Sequence, residues 1–201
     1  MNVASNDIRI QRCAWPGDHP LNVHYHDHEW GVVQHNDQRL FEMLTLEGAQ
    51  AGLSWLTILN KREAYRRLFA NFDIQKVADF DEDRVNILVE DAGIVRHRGK
   101  IEATVNNARR ILSLWDGGTT LDATTWECVG GSSIINHWKN LEEIPASTIE
   151  SAWLSKRLKK LGFRFVGKTT CYAFMQAAGL VNDHEVSCFR HQECQLAAPQ
   201  E

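Results

Sequence analysis

Residues 161–170 read Leu-Gly-Phe-Arg-Phe-Val-Gly-Lys-Thr-Thr, a short stretch bounded by two glycines and flanked by segments with strong helical patterning. Upstream, Ser147 followed three residues later by Glu150 is typical of a capping-box helix start. That helix should end at Gly162, because glycine adopts the left-handed conformation at little cost. A second helix is expected to begin near Gly167. The sequence therefore predicts a helix, a hairpin over residues 162–167 and another helix.

The predicted hairpin has the features of an anion site. The free amides and the positive dipole end of the second helix should point into the turn. Basic side chains surround it: Lys156, Arg157, Lys159, Lys160, Arg164 and Lys168. This favours a clamp on the DNA backbone. An ordinary pair of helices with a solvated basic face explains the same pattern, since such turns are common.

Helical patterning also dominates the rest of the chain. Apolar residues recur at helical spacing from Asp37 onward, and strand-like alternation is nearly absent. Helix caps are predicted at Asp73 and Asp81, and a long helix over about residues 96–115. We expect an all-α fold with two helical lobes joined near residues 117–147, where the pattern weakens.

The domain organisation follows from these elements. Residues 13–190 are predicted to form a single helical domain, with a flexible N-terminal extension over residues 1–12 and a C-terminal tail over residues 191–201. The chain of 201 residues is 43% hydrophobic, enough to bury a sizeable core.

Charge and cysteine content narrow the class of protein. The net charge of -4 argues against a nonspecific nucleic-acid coat but permits a local basic face. No apolar run approaches a membrane span and no secretion signal is evident, so a cytoplasmic location is expected. Five cysteines without dense spacing indicate reduced thiols or metal ligands rather than a disulfide scaffold.

Two metal-ligand half-sites lie near opposite ends of the chain. One is Cys13 with the histidines of residues 24–28, and the other is His184 with Cys188. If residues 184–188 are helical, the second pair leaves one face and suits two corners of a zinc tetrahedron. One cysteine and one histidine from the first half-site would complete it. Such a zinc has no open position and is structural. Scattered histidines and two buried thiols remain the alternative.

The segment over residues 46–55 places one carboxylate, Glu47, in an apolar helix end beside small residues and Trp55. A buried carboxylate is costly unless it has a partner or a task. One task is to accept hydrogen bonds from a purine edge while Trp55 and Tyr25 stack on its faces. Alternatively Glu47 caps a helix or pairs with an arginine, and Trp55 fills the core. Leu53 is either an exposed wedge for a base stack or a packed leucine.

Several longer blocks resemble the 3-methyladenine DNA glycosylase I family of helix-hairpin-helix glycosylases. The resemblance covers about Cys13 to Cys188 and rests on these blocks: residues 13–15, 25–31, 40–43, 46–55, 91–101, 162–167 and 179–184. It implies base-excision repair: the enzyme flips 3-methyladenine out of alkylated duplex DNA and hydrolyses its N-glycosidic bond.

The resemblance also implies roles for individual residues. Glu47 is the catalytic residue, and the base lies among Trp55, Tyr25, Trp30 and Trp15. DNA is contacted by Gly52, Leu53, Gly162, Arg164, Val166, Gly167, Lys168 and Thr169. One structural Zn²⁺ is held by Cys13, His26, His184 and Cys188. Duplex DNA with alkylated bases and the free 3-methyladenine product are the expected partners, and a monomer is expected.

Relatives that cleave neutral bases carry an aspartate in a Val-Asp-x-His block, where this chain has Asn182. Alkylation at N3 makes the purine a cationic leaving group, which lowers the barrier the enzyme must remove. A monofunctional enzyme without lyase activity is predicted, because no lysine occurs in residues 181–188. A noncatalytic binder of damaged DNA is the alternative. A zinc deaminase lacks its sequence signature here.

Overall fold

A computed structural model describes residues 10–197, which are mostly helical. The first helices are α1 (Pro20–His28), α2 (Asp37–Gln50), α3 (Trp55–Leu68), α4 (Ile74–Ala78) and α5 (Glu82–Glu90). They are followed by α6 (Arg98–Asp116), α7 (Leu121–Trp126), α8 (Ile149–Lys160), α9 (Lys168–Ala177) and α10 (Phe189–Ala197). The all-α prediction is confirmed apart from one short parallel pairing of β1 (Ile134–Ile135) with β2 (Val181–Asn182).

Side-chain caps fix where the helices begin. The predicted caps at Asp73 and Asp81 are confirmed, because each carboxylate accepts the amide three residues on. The predicted capping box of α8 is one residue too early. Thr148 is the N-cap: its hydroxyl accepts from the Ser151 amide, and the Ser151 hydroxyl accepts from the Thr148 amide. Two hydroxyls therefore replace the expected Ser147 and Glu150 pair.

A turn connects α8 to α9 over the residues where the sequence predicts the hairpin. Gly162 follows α8 in the left-handed region with φ +86°, and Gly167 is the N-cap of α9. Asn107 of α6 holds the turn, donating to the Arg164 carbonyl at 3.0 Å and accepting from its amide at 2.8 Å. Phe165 has φ +56°, a strained conformation for a bulky residue that these bonds maintain. The turn is therefore rigidly attached to α6.

One hydrophobic cluster runs from Leu40 to Val181 and includes residues on both sides of segment 117–147. Helix α9 packs against α2 and α8, while α6 packs against α4 and α5. The two predicted lobes therefore share a core. A smaller cluster joins the chain ends, with Cys13 and Tyr25 against Cys188.

The predicted C-terminal boundary is too early. Helix α10 crosses residue 191, and both His191 and Cys194 are buried, so residues 191–197 belong to the folded unit. Of the predicted N-terminal extension, residues 10–12 are described: Arg12 bonds Asp27 at 2.8 Å, and Gln11 accepts from the Phe189 amide. The rest of both predicted ends, residues 1–9 and 198–201, lies outside the described residues. Across residues 10–197 no helix is both long and apolar enough to cross a membrane.

Candidate functional site

A cavity of about 300 Å³ opens between α1, the end of α2, the start of α3 and α9. The five residues expected to recognise the base line it: Trp15, Tyr25, Trp30, Glu47 and Trp55. Its other walls are formed by Gln50, Leu141, Ile144, Pro145, Ala146, Thr169, Tyr172, Ala173 and Gln176. The structure thus brings the predicted aromatic residues and the predicted carboxylate together in one concave site.

The aromatic side chains of the cavity pack against one another in pairs. The rings of Tyr25 and Trp55 lie 5.0 Å apart at 48°, and those of Trp15 and Trp30 lie 5.1 Å apart at 65°. These tilted and edge-on contacts are the arrangements that aromatic pairs prefer. The indole N–H of Trp55 has no hydrogen-bond partner within residues 10–197, and neither does that of Trp15. Trp55 nevertheless also packs against the core, as the alternative interpretation expected.

Glu47 is only 7% exposed and has no ion-pair or hydrogen-bond partner among the described residues. The neighbouring arginines are engaged elsewhere: Arg39 and Arg66 with Glu42, and Arg62 with Glu29. Pairing of Glu47 with arginine, the alternative drawn from the sequence, is therefore not found. Burial raises the pKa of Glu47 to about 8. A cation entering the cavity would favour its ionised form.

Tyr25 stands beside this carboxyl group. Burial, reinforced by the negative charge of Glu47, raises the pKa of Tyr25 well above its usual value. Its hydroxyl therefore stays neutral at physiological pH and is available as a hydrogen-bond donor.

The wedge segment, residues 51–54, follows Glu47 at the end of α2. Leu53 is 43% exposed, which argues against the alternative of a packed leucine. Gly52 has φ +82° with nothing within 4 Å of an added Cβ, so the backbone conformation requires the glycine. Lys100 of α6 donates to the carbonyls of Ala49 and Ala51 at 2.8 and 2.7 Å. These bonds hold the segment at the rim of the cavity.

The hairpin reaches the same region. Thr169 lines the cavity, and Phe165 lies against Gly48 of α2. Of the predicted basic residues, Arg157 lies 3.6 Å from Glu127. Within the described part of the chain no ion pair involves the other five: Lys156, Lys159, Lys160, Arg164 and Lys168. The contacts of Thr169 and Phe165 therefore place the hairpin beside the cavity and beside the end of α2, which the wedge segment follows.

The four predicted metal ligands converge. The ligand atoms of Cys13, His26, His184 and Cys188 all lie within 4.8 Å of one another, and all four residues are buried. Cys13 Sγ lies 3.5 Å from His184 Nδ1, and Cys188 Sγ lies 3.5 Å from His26 Nε2. A hydrogen bond between the two thiols lowers the pKa of Cys188 and raises that of Cys13. Such a cluster could hold a metal ion.

Each histidine in the cluster is oriented through its second nitrogen. His26 Nδ1 lies 2.8 Å from Asp27, which also binds Arg12, and His184 Nε2 lies 3.0 Å from the Trp30 carbonyl. Such outer bonds are typical of metal-binding histidines. The helical condition considered for His184 and Cys188 is not met, because residues 183–188 form an irregular turn before α10. The turn still brings Cys188 Sγ within 3.7 Å of His184 Nδ1.

Sequence reasoning missed the α9 wall of the cavity. Tyr172 and Gln176 are spaced i, i+4 on α9, a spacing that could have placed them on one face. Behind them, buried Asp183 accepts hydrogen bonds from both. Asn182, at the position of the missing acid, donates to the His191 carbonyl and accepts from the His184 amide. Its amide is thus used within the fold.

Comparison with known proteins defines the class. The family model described as methyladenine glycosylase matches residues 15–191. The chain belongs to this family, which confirms the resemblance seen in the sequence. It is 52% identical to DNA-3-methyladenine glycosylase 1 of Escherichia coli (strain K12), covering 89% of this chain and 96% of that relative.

Two solved structures are similar over nearly their whole length. One is a crystal structure of 3-methyladenine DNA glycosylase I, with a TM-score of 0.88 and 50% identity over 89% of this chain and 98% of that chain. The other is a variant of 3-methyladenine DNA glycosylase I in complex with 3-methyladenine, with a TM-score of 0.86 and 34% identity over 94% and 98% of the two chains.

Proposed function

We propose that this protein is a monofunctional DNA glycosylase that excises 3-methyladenine from alkylated duplex DNA during base-excision repair. Family membership and the similarity to a relative complexed with 3-methyladenine support this activity. The observation that carries it is the buried carboxyl group of Glu47, which has no partner among residues 10–197 and lies in a cavity walled by aromatic rings.

Glu47 acts by recognising charge. A 3-methylated purine nucleotide is cationic, and its entry shifts Glu47 to the carboxylate, which then accepts from the base edge. Trp55, Tyr25, Trp30 and Trp15 add stacking and cation–π attraction, of which stacking is worth about 1–3 kcal/mol per base. Unmodified adenine is neutral and receives neither the charge attraction nor the cation–π term.

The chemical step is N-glycosidic hydrolysis. The bond between C1′ and the purine breaks, the bonding electrons leave with the cationic base as neutral 3-methyladenine, and water adds to C1′ with loss of a proton. Because the substrate's own charge eases departure, the site works without the aspartate of related enzymes. Asn182 is consistent with this, since its amide is engaged within the fold.

DNA is held on both sides of the cavity. Exposed Leu53, next to Gly52, fills the space left by the flipped base. The helix-hairpin-helix formed by α8, the hairpin and α9 binds the backbone phosphate through the free amides of α9. The residues assigned to this contact are Gly162, Arg164, Val166, Gly167, Lys168 and Thr169.

The Cys/His cluster binds one structural Zn²⁺. Bonds of about 2.3 Å to sulfur and about 2.0 Å to nitrogen at tetrahedral angles separate the two kinds of atom by about 3.5 Å. The observed separations of 3.5, 3.5 and 3.7 Å fit this geometry. Four protein ligands leave no place for a reactive water. The ion would join the segment before α1 to the segment before α10.

Product analysis on methylated duplex DNA tests the proposal. The wild-type protein is expected to release free 3-methyladenine and leave abasic sites. Glu47→Gln should slow single-turnover excision about 10- to 100-fold, because the charge is lost. Glu63→Gln, which changes an exposed glutamate of α3, is the matched control and should excise normally.

Two outcomes would contradict the assignment. Tight binding of alkylated duplex without release of any base would identify a noncatalytic binder. A borohydride-trapped covalent adduct with DNA in near-stoichiometric yield would contradict the monofunctional mechanism. Unchanged excision by Glu47→Gln would leave the activity in place but remove the role assigned to the carboxylate.

A further inference from the structure

Asp183 is the acceptor at the centre of a buried hydrogen-bond network. This residue is only 1% exposed. Oδ1 accepts from Asn136 Nδ2 at 2.6 Å and Trp138 Nε1 at 2.8 Å. Oδ2 accepts from Tyr172 Oη at 2.5 Å and Gln176 Nε2 at 2.8 Å. With four donors in place, Asp183 has no capacity left for a substrate or a water.

This network fixes the direction of the Gln176 amide. A carboxylate only accepts hydrogen bonds, so the amide nitrogen of Gln176 must face Asp183. The amide oxygen then points away from Asp183. Gln176 lines the cavity, and its Oε1 is neither bonded to a described residue nor among the buried unpaired atoms. The α9 wall therefore presents a hydrogen-bond acceptor.

We infer that Gln176 Oε1 is an acceptor for the exocyclic amino group of the excised base, and that Asp183 is the positioning residue that prevents its amide from turning over. Adenine carries a donor at position 6, whereas guanine carries an acceptor there. A fixed acceptor can therefore hydrogen-bond to the adenine amino group, whereas it repels the guanine oxygen. This assignment rests on the proposed function and adds a rule for base choice: 3-methyladenine is preferred over 3-methylguanine.

Two variants test the rule through the ratio of the two bases released from the same methylated duplex. Gln176→Met removes the acceptor at similar length and should lower the ratio of 3-methyladenine to 3-methylguanine about tenfold or more. Asp183→Asn offers an amide N–H in place of an acceptor. Gln176 then turns to accept from it and presents its own N–H₂ to the cavity, so the ratio should fall further, with 3-methylguanine release rising.

Trp138→Phe is the control for general loosening. It removes one donor from Asp183 but leaves the bond to Gln176, so the base ratio should not change even if the melting temperature falls. A ratio unaffected by Gln176→Met in an active enzyme overturns the inference and leaves the proposed function standing. Release of neither base by the wild-type protein contradicts the proposed function itself. If Asp183→Asn does not fold, Gln176→Met alone still decides the role of the acceptor.

Discussion

Glu47 and Asp183 are two buried carboxyl groups, exposed by 7% and 1% respectively. Glu47 lines the cavity, whereas Asp183 lies behind the α9 wall and accepts from Tyr172 and Gln176. Glu47 has no hydrogen-bond partner in the described part of the chain, and burial raises its pKa to about 8. Asp183 accepts four hydrogen bonds. The first group therefore depends on an incoming ligand for its stabilisation, and the second is already satisfied by the fold.

This difference assigns different work to the two groups. A buried polar group without a partner costs free energy in the empty protein and recovers it when a complementary ligand enters. A saturated group contributes rigidity and orientation. Variants of Glu47, of Asp183 and of the side chains that anchor the two cavity walls test whether the two carboxyl groups have these different roles.

The largest loss of stability is expected when the proposed metal cluster is disrupted. This cluster lies next to Asp183, because it includes the following residue, His184, together with Cys13. Cys13→Ala should abolish zinc binding and lower the free energy of unfolding by more than about 5 kcal/mol, since structural zinc in small domains contributes about 10–16 kcal/mol. Metal content and urea unfolding measure this. Cys128→Ala, at a cysteine outside the cluster, is the control and should retain one zinc per chain. Full stability of Cys13→Ala with no metal would contradict a structural ion.

Asp183→Ala comes next. Four donors lose their acceptor, and the expected cost is about 3–5 kcal/mol of unfolding free energy. Glu47→Ala is the matched variant and should cause no comparable loss of stability at neutral pH, because Glu47 has no hydrogen-bond partner among residues 10–197. Chemical denaturation of both proteins compares the two sides directly. Equal losses at the two positions would refute the separation into a satisfied and an unsatisfied carboxyl group.

Much of the Glu47 side could be predicted from the sequence. The aromatic residues, Glu47 and Leu53 lie in compact blocks, and the family resemblance implies their proposed roles. The hairpin was likewise predictable, because Gly162 and Gly167 are local signals for the end of one helix and the start of the next.

The Asp183 side could not be predicted in the same way. Its donors come from residues 136–138, where the periodic pattern is weak, and from α9, so the network depends on the pairing of β1 with β2. Local rules also misplaced two details. The hydroxyls of Thr148 and Ser151 moved the α8 cap by one residue, and His184 and Cys188 converge through an irregular turn rather than a helix.

An effect with a defined pH dependence is expected for Glu47→Gln. The pKa of Glu47 is raised from 4.5 to about 8 in the folded protein, so the folded state binds more protons than the unfolded state between these values. The contribution of protonated Glu47 to the free energy of unfolding is therefore fully present below about pH 4.5. It is lost as the pH rises through 8. Glutamine has no charge to bury. The variant should match the wild type near pH 4.5 and become steadily more stable than the wild type as the pH rises to 9.

Thermal or urea unfolding across this pH range tests the sign. Glu63→Gln, at an exposed position on α3, should show no comparable gain. A Glu47→Gln variant that is less stable than the wild type at pH 9 would mean that the carboxylate has a stabilising partner in the folded protein.

The smallest change in stability is expected for Lys100. Its side chain anchors the end of α2, the cavity wall that carries Glu47, just as Asp183 anchors the α9 wall. Its ammonium group donates to Ala49 and Ala51 at the C-terminal end of α2, where a cation also complements the helix dipole. Lys100→Met keeps the aliphatic stem and should cost about 1–2 kcal/mol of unfolding free energy. Because the wedge segment loses its anchor, KM for methylated duplex should rise more than kcat falls. Lys61→Met removes a similar bond to the Ala92 carbonyl away from the cavity and should leave KM unchanged. If both variants raise KM equally, the anchor at Lys100 has no specific role in presenting Leu53.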